Sequence, residues 1–534
     1  MEIHTDALVV GGGLGGVAAA LALLRAGSSV ILTEEYDWLG GQLTSQAVPP
    51  DEHPWVERFG VTASYRALRD GIRDYYRSHY PLTERSRAWR ELNPGAGCVS
   101  RLCHEPRVAV AVIESMLAPY RGCGRLRVLQ PYRPVGADVD GDRVKAVTLA
   151  HRDTGARTTV RARVVLDATE TGELLPLTGT EYVTGFESRA ETGEPSAPDE
   201  AQPQNMQAIS VCFAVDHVDG DHTIERPATY DHWREYRPSF WGDRLLSWRA
   251  PAPRTLEPVE RSFTPNPDED PTQVLGDLQR PGGDTDLWTF RRIAARRNFE
   301  DGAYASDITL VNWPMIDYFD GSVIDVPDAD RHVQAARELS RSMLYWMQTE
   351  APRPDGGTGY PGLRLRGDVV GGGADGLAQA PYIRESRRIR ALYTVPEQDI
   401  ALAVRGDRGA VSYDDSVGIG LYRIDLHPST GGDNYIDVGC SPFEIPLGAL
   451  IPQRVDNLLA AAKNIGTTHI TNGAYRLHPV EWNIGEAAGT LAAFCLAGDM
   501  PPHAVREKEE MLSDYQSLLV RSGVELRWPP VTGY

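Results

Sequence analysis

The chain opens on a short apolar run, "DALVV" (6–10), followed at once by "GGGLGG" (11–16). A run of that length suits a buried parallel strand. "VAAALALLRAG" (17–27) comes next, rich in Ala and Leu, and Gly27 stands where a helix C-terminal glycine belongs. "SSVILTE" (28–34) reads as a second strand. Residues 127–169 alternate apolar and polar positions around "DVDGDRV" and "DTGAR" turns, which predicts antiparallel hairpins ending in a buried strand, "VVLDAT" (164–169). Helical periodicity marks residues 328–352 and 503–523. Toward the end, "NLLAAAKNI" (457–465) predicts a buried strand and "NIGEAAGTLAAFCLAG" (483–498) a helix.

Strand, glycine turn, helix and strand form the βαβ context in which G-x-G-x-x-G holds a dinucleotide. Gly11 allows the tight turn, Gly13 the approach of a pyrophosphate, and Gly16 close helix–strand packing. The following helix, from Leu14, presents free N–H groups to the phosphates. Glu34 ends the second strand and can accept hydrogen bonds from a ribose, with Glu35 as its alternate by one residue. An acid there suits FAD or NAD and repels the 2′-phosphate of NADP. A second glycine pair, Gly40-Gly41, precedes Gln42 and Thr44 and leaves room for a long cofactor, which favours FAD. "GGGADG" (371–376) satisfies the same fingerprint but fails its context. Pro381 interrupts any helix after it, and no acid-tipped strand follows. The chain is expected to hold one dinucleotide.

Length, 534 residues, suggests several domains. A formal net charge of -20 argues against nucleic-acid and anionic-membrane partners. The six cysteines show no C-x-x-C and no zinc spacing, so no metal site is expected, and their scatter fits a reducing compartment. The N-terminal segment lacks a signal-peptide pattern, and no apolar stretch approaches the ~20 residues of a membrane span. The cytoplasm is the expected location.

At this point the sequence resembles a family. "VVGGGLGGVAAA", "LGGQLTSQAV", "RLCHEPRVAVAV", "VVLDATETGELLPLTG", "PYIRESRRI" and "NLLAAAKNIGTTHITNGAYRLHPVEWNIGEAAGTLAA" are similar, in that order, to FAD-dependent oxidoreductases. These are glutathione-reductase-like two-dinucleotide-fold flavoproteins with xanthan-lyase-like relatives. Residues of about 190–300 lie outside the resemblance. It implies an α/β protein with a Rossmann-like FAD-binding domain of glutathione-reductase type and a discontinuous mixed α+β substrate domain. The FAD-binding domain would comprise 1–185 and 436–500, with a β-meander insertion at about 126–163. A substrate or cap domain would span 186–435, with long loops over 191–290, and a C-terminal helix and tail 501–534. The resemblance also implies that the last helix points its N-terminus at the flavin, with Asn464, Glu481, Trp482 and Asn483 in contact, and that "PYIRESRRI" is helical. Arg101, Val135, Ala168 and Thr169 fall in segments expected to touch the cofactor. The family often carries Gly-Asp after Asp-Ala-Thr; here Glu170-Thr171-Gly172-Glu173 replaces it.

Flavin carries redox chemistry, and the protein supplies positioning and a base. His478, in "RLHPVEW", is the leading base, and Arg476 can hold an anionic substrate or a flavin carbonyl. His427 in "IDLHPST" is a second candidate, with Asp425 on the same strand face. His104 reads as a cap for a helix beginning at Pro106. Arg384 and Glu385 read as a buried pair. Trp233, Trp241, Trp248 and Trp288 either line a substrate cleft or anchor the loops between them. The expected activity is an FAD-dependent oxidase or dehydrogenase that removes a hydride from a small alcohol or amine, or desaturates a C–C bond. O2 or another acceptor would reoxidise the flavin. A monooxygenase using NAD(P)H and O2, or a redox-neutral lyase or isomerase, is the alternative. The company of the family suggests secondary metabolism.

Overall fold

The computed structural model describes residues 2–274 and 285–534. Residues 275–284, part of the expected 191–290 loops, lie outside the described residues. Strand β1 (Glu2–Val10) leads through the glycine turn into α1 (Leu14–Arg25) and β2 (Val30–Thr33). Helices α2 (Ala63–His79) and α3 (Pro106–Gly122) precede β3 (Leu126–Leu129). The hairpin strands β4 (Tyr132–Asp140) and β5 (Arg143–His151) then lead to β6 (Arg157–Asp167).

The strand order is β3-β2-β1-β6, all parallel. The long strand β6 pairs with β1 along one edge. Its other edge is shared: residues 157–160 pair antiparallel with β5, and residues 165–167 pair parallel with a late strand, Leu458–Ala460. The expected hairpins are present, but residues 126–129 belong to the parallel sheet, so the antiparallel insertion begins at β4.

A second sheet gathers β7 (Phe213–His217), β8 (Arg292–Ala294), β9 (Ile308–Val311) and, after helix α4 (Ala329–Thr349), β10 (Leu363–Leu365), in the order β8-β9-β7-β10. It anchors its own hydrophobic core, in which Trp233, Trp241, Trp248 and Trp288 are buried. Their indoles pack on each other's neighbours: Trp248 stacks on Phe263 at 5.1 Å and meets Trp346 edge-on at 4.9 Å. The four tryptophans anchor the loops. "PYIRESRRI" is extended: Tyr382–Ile383 pairs with Ile209–Ser210, and Arg388–Ile389 with Tyr182–Val183. Arg384 and Glu385 lie in the irregular stretch between those two strand pairs and do not pair with each other. Arg384 meets Asp317 at 3.0 Å, and Glu385 meets Arg388 and His469.

The chain returns to the first core through β11 (Ser416–Gly420), β12 (Ile424–Leu426) and β13 (Leu458–Ala460), then α5 (His469–Tyr475) and α6 (His478–Gly498). The last helix starts five residues before its expected position, because Pro479 suits a first turn. It is buried from His478 through Ala493, so it lacks the polar stripe of a surface helix. It lies backbone-close against α1: a Cβ on Gly485 would overlap the Gly15 carbonyl, and one on Gly489 the Ala19 carbonyl. Among the described residues no helix is long and apolar enough to cross a membrane.

Gly485→Val is expected to destabilise the protein by about 3 kcal/mol, the upper range for overpacking, because backbone rather than a side chain must yield. An unchanged denaturation midpoint would contradict this packing.

Candidate functional site

The site grows from the β1–α1 turn. Gly11 has φ +97°, and a Cβ there would overlap the Ala168 carbonyl. Gly16 approaches the Gly11 carbonyl equally closely. Gly13 caps α1 with no side chain of its own, which leaves the first N–H groups of the helix, apart from the Gly15 amide that Glu481 takes, to receive an anion. Leu14, the first residue of α1, is fully buried. The second glycine pair docks on the first: the Gly40 amide donates to the Gly12 carbonyl at 2.7 Å, and Gly41 sits against Gly13. Thr44 closes this loop by donating its hydroxyl to the Leu39 carbonyl at 2.7 Å.

Glu34 stands at the tip of β2. Its Oε2 accepts from the Gly12 amide and its Oε1 from the Tyr36 amide, both at 2.9 Å. Burial pushes its carboxyl up to about 8. Glu35 lines the same cleft, and burial raises it too, against the pull of Arg152 and Arg133. Gly11, Gly13, Ala168, Thr169, Tyr132 and Pro134 complete the walls. Val135 sits at a bulge in β4, between Pro134 paired with Leu149 and Gly136 paired with Thr148, and does not line the cleft. Arg101 also stands apart: it lines a separate surface groove with Trp55 and Arg58 and faces Glu91 at 4.0 Å.

"GGGADG" forms an irregular loop rather than a strand–helix turn. Asp375 is clamped by Arg337, with both bonds at 2.7 Å. The segment after it covers the cleft: Ala380 donates to the Ser45 carbonyl at 3.0 Å, and Ala380, Pro381 and Ile383 line the wall.

The first turn of α6 delivers Glu481 to the glycine turn. Glu481 accepts from the Gly15 amide at 3.3 Å and from the Gln42 side-chain amide. Burial pushes it up to about 7. Glu170 faces the same helix end and pairs with the buried Lys463. The helical 100° step carries the next two side chains elsewhere. Trp482 donates to the Ser64 hydroxyl at 2.7 Å, and the Asn483 amide binds β11 at Val417 and Ile419. Both were expected at the flavin and instead fix α6 to its neighbours. Asn464 braces the end of β6, donating to the Asp167 carbonyl at 3.0 Å.

A second cluster adjoins this one through Gln42, whose amide donates to the Arg476 carbonyl at 2.8 Å. The Arg476 guanidinium reaches Tyr382 at 2.6 Å and Asp425 at 3.2 Å. Asp425 lies 3.6 Å from Nε2 of His427. The short partner of His427 is a residue sequence reasoning missed: Nδ1 lies 2.5 Å from Asp317 Oδ2. Asp317 is fully buried and is also held by Ser210 and Arg384. Burial pushes Asp317 up, but Arg384 and His427 hold it below the usual carboxylate range. Burial opposes ionisation of Asp425 too, and His427 and Arg476 overcome it. An acid inside the apolar stretch "PMIDYF", like Lys463 inside "AAAKNIG", was the available signal.

His478 is fully buried beside this cluster. The Asp51 amide donates to its Nδ1 at 3.1 Å, so the ring proton sits on Nε2, which has no partner. Burial, then the charge of Arg291, depresses it to about 3. His104 does not cap α3; its Nδ1 bonds the Leu102 carbonyl at 2.9 Å, and α3 has no side-chain cap. His469, also missed, is a buried partner of Glu385 at 2.7 Å.

An outward-facing helix N-terminus, a glycine cradle that any Cβ would fill and a carboxylate at the β2 tip fit a dinucleotide. Beyond them lie buried polar atoms without partners, Gln42 Oε1 and both side-chain heteroatoms of Gln46. These define a dinucleotide-binding enzyme. The chain matches the family model "FAD dependent oxidoreductase" over residues 6–519 and belongs to that family. Its cofactor is FAD. Among curated proteins no sequence matches. Three solved structures are similar to parts of the chain. L-proline dehydrogenase from P. horikoshii is 15% identical over 35% of this chain, TM-score 0.19, and the match spans a quarter (25%) of that protein. A geranylgeranyl bacteriochlorophyll reductase-like protein from Thermoplasma acidophilum is 11% identical, covering 98% of this chain and 85% of that one, TM-score 0.33. Glycerol-3-phosphate dehydrogenase from Bacillus halodurans, complexed with FAD, is 16% identical over 40% of each chain, TM-score 0.24. At these scores none of them bears on the reaction.

Glu34→Gln tests the cleft. In the folded protein Glu34 holds its proton up to about 8, whereas in the unfolded chain it ionises near 4.5, so keeping it buried and protonated costs the fold increasingly from about pH 4.5 to 8. In flavin-free protein, stability of the variant relative to wild type is expected to rise across that window, while FAD affinity falls. A pH-independent difference with unchanged affinity would contradict the assignment.

Proposed function

We propose that this protein is an FAD-dependent oxidase or dehydrogenase that removes a hydride from a small organic substrate, an alcohol, an amine or a saturated C–C bond. The observation that carries the proposal is the Asp317–His427 pair, joined through Asp425 and Arg476 to Gln42 of the cofactor loop. Bound FAD supplies the hydride acceptor, and O2 or another acceptor restores it. In this reading Asp317 fixes the Nδ1 proton of His427, and Nε2, which faces Asp425, exchanges the substrate's proton. Arg476 fixes Asp425 beside that nitrogen. His478 cannot share the role, because its lone-pair nitrogen is occupied by the Asp51 amide; it serves as a neutral donor through Nε2–H.

Gly11, Gly13 and Leu14 would receive the pyrophosphate and Glu34 the ribose, with Gly16 as packing support. The order of the parallel strands and the shared edge of β6 support a glutathione-reductase type of FAD domain. For the division into 1–185 and 436–500 against 186–435, the second core lies mostly within 186–435, but Ala96, Cys98, Val99 and Cys103 join it, and residues from Phe186 to Leu426 also pack in the first core, so the boundary is crossed in both directions.

Anaerobic mixing of the FAD-loaded enzyme with alcohols, amines and saturated acids tests the proposal. One class is expected to bleach the flavin without NAD(P)H. His427→Asn is expected to slow bleaching about 10²–10⁴-fold, the usual reach of a general base, with the oxidised flavin spectrum unchanged. Bleaching by NAD(P)H alone, or wild-type rates in the variant, would contradict it.

A further inference from the structure

Arg291 stands between the short helix Leu287–Phe290 and β8, so the second core carries it toward the site. Its side chain is 13% exposed. Three deeply buried guanidinium groups are fully answered. Arg69 meets Glu52 and Glu57, Arg388 meets Glu187 and Glu385, and Arg292 meets Asp307, Glu269 and two carbonyls. Arg291 is the contrast. Its Nε and Nη1 have no hydrogen-bond partner, and its nearest carboxylate oxygen, Asp51 Oδ1, stays 3.8 Å from Nη2. That oxygen accepts no hydrogen bond either.

Other buried donors beside it also lack acceptors. The amide of the same Asp51 holds His478, whose Nε2–H is buried and unpaired. The charge of Arg291 is felt at that ring. Arg476 Nε is also buried and unpaired. The Phe290 ring lies 5.0 Å from the guanidinium carbon and covers one face, leaving the edge for a planar acceptor. Buried donors without acceptors are costly, and a charged one most of all, so this group is built for a ligand that brings negative charge.

We propose that Arg291, aided by His478 Nε2–H, binds the carboxylate of the substrate, which makes the substrate class a small carboxylic acid. The fork of a guanidinium matches a carboxylate with two hydrogen bonds. This rests on the oxidoreductase reading for the word substrate, though the anion site itself does not. Arg291 follows Phe290 of the second core and precedes Ile293 and Ala294 of the first, so the carboxylate would be held where the two cores meet.

The test uses FAD-loaded enzyme titrated with acetate, lactate and benzoate and with their amides, read as perturbation of the flavin absorbance and as thermal shift. At least one acid is expected to bind about 10–100-fold more tightly than its amide, the worth of a charge-assisted hydrogen bond. Arg291→Met is expected to abolish that preference while retaining FAD, and Arg291→Lys to restore part of it. Equal binding of every acid and its amide to wild type would overturn the proposal whether or not the variant folds. So would an undiminished preference in a folded Arg291→Met. If acids bind through Arg291 but no compound reduces the flavin, the oxidoreductase reading fails and the anion site stands. If neutral substrates reduce the flavin and acids do not compete, the anion site fails and the redox reading stands.

Discussion

The contact between α1 and α6 governs the rest of the structure. Two helices can meet backbone to backbone only where side chains vanish, and Gly15 against Gly485 and Ala19 against Gly489 provide that seam. The consequence is positional. The first turn of α6 comes to the first turn of α1, so Glu481 reaches the Gly15 amide, and Arg476 and His478 stand just beyond. A bulkier seam would separate the dinucleotide turn from the residues that are to act beside it. The same spacing explains why the side chains of Trp482 and Asn483 bond neighbouring elements and brace α6.

Charge is distributed with the same economy. The first core places acids, Glu34, Glu170 and Glu481, around a helix N-terminus whose dipole favours negative charge. Lys463 balances one of them. Around Asp425 of β12, arginines are answered by carboxylates in a chain that runs Arg384, Asp317, His427, Asp425, Arg476. Buried ion pairs of this kind add little net stability but fix geometry, since removing one member strands its partner. In the proposed reading that rigidity keeps Nε2 of His427 in place. Arg291 is the member left without a close partner.

Much of this was legible from local pattern. The β1–α1–β2 unit, its glycines and Glu34 lie within 34 residues, and their spacing carries the geometry. The failure of "GGGADG" was legible as well, because a proline interrupts the needed helix. Long-range pairing was not legible. Asp317 lies 110 residues from His427, and no local periodicity links them. Asp425 was visible because it shares a strand with His427, yet the shorter contact belongs to Asp317. The helix was expected only from Asn483, and the earlier start at His478 follows from Pro479, which is at home in a first turn. The tryptophans of a polar region suggested a cleft; burial in a separate core explains them, since loops need anchors of large area.

The central claim is that one glycine cradle holds one dinucleotide, and that it is FAD. Equilibrium titration of the flavin-free chain, followed by flavin absorbance and by calorimetry, tests it most directly. The account predicts one FAD per chain, released intact by acid, with no second site taken by NADP. Two dinucleotides per chain, or NAD(P) binding in place of FAD, would contradict it.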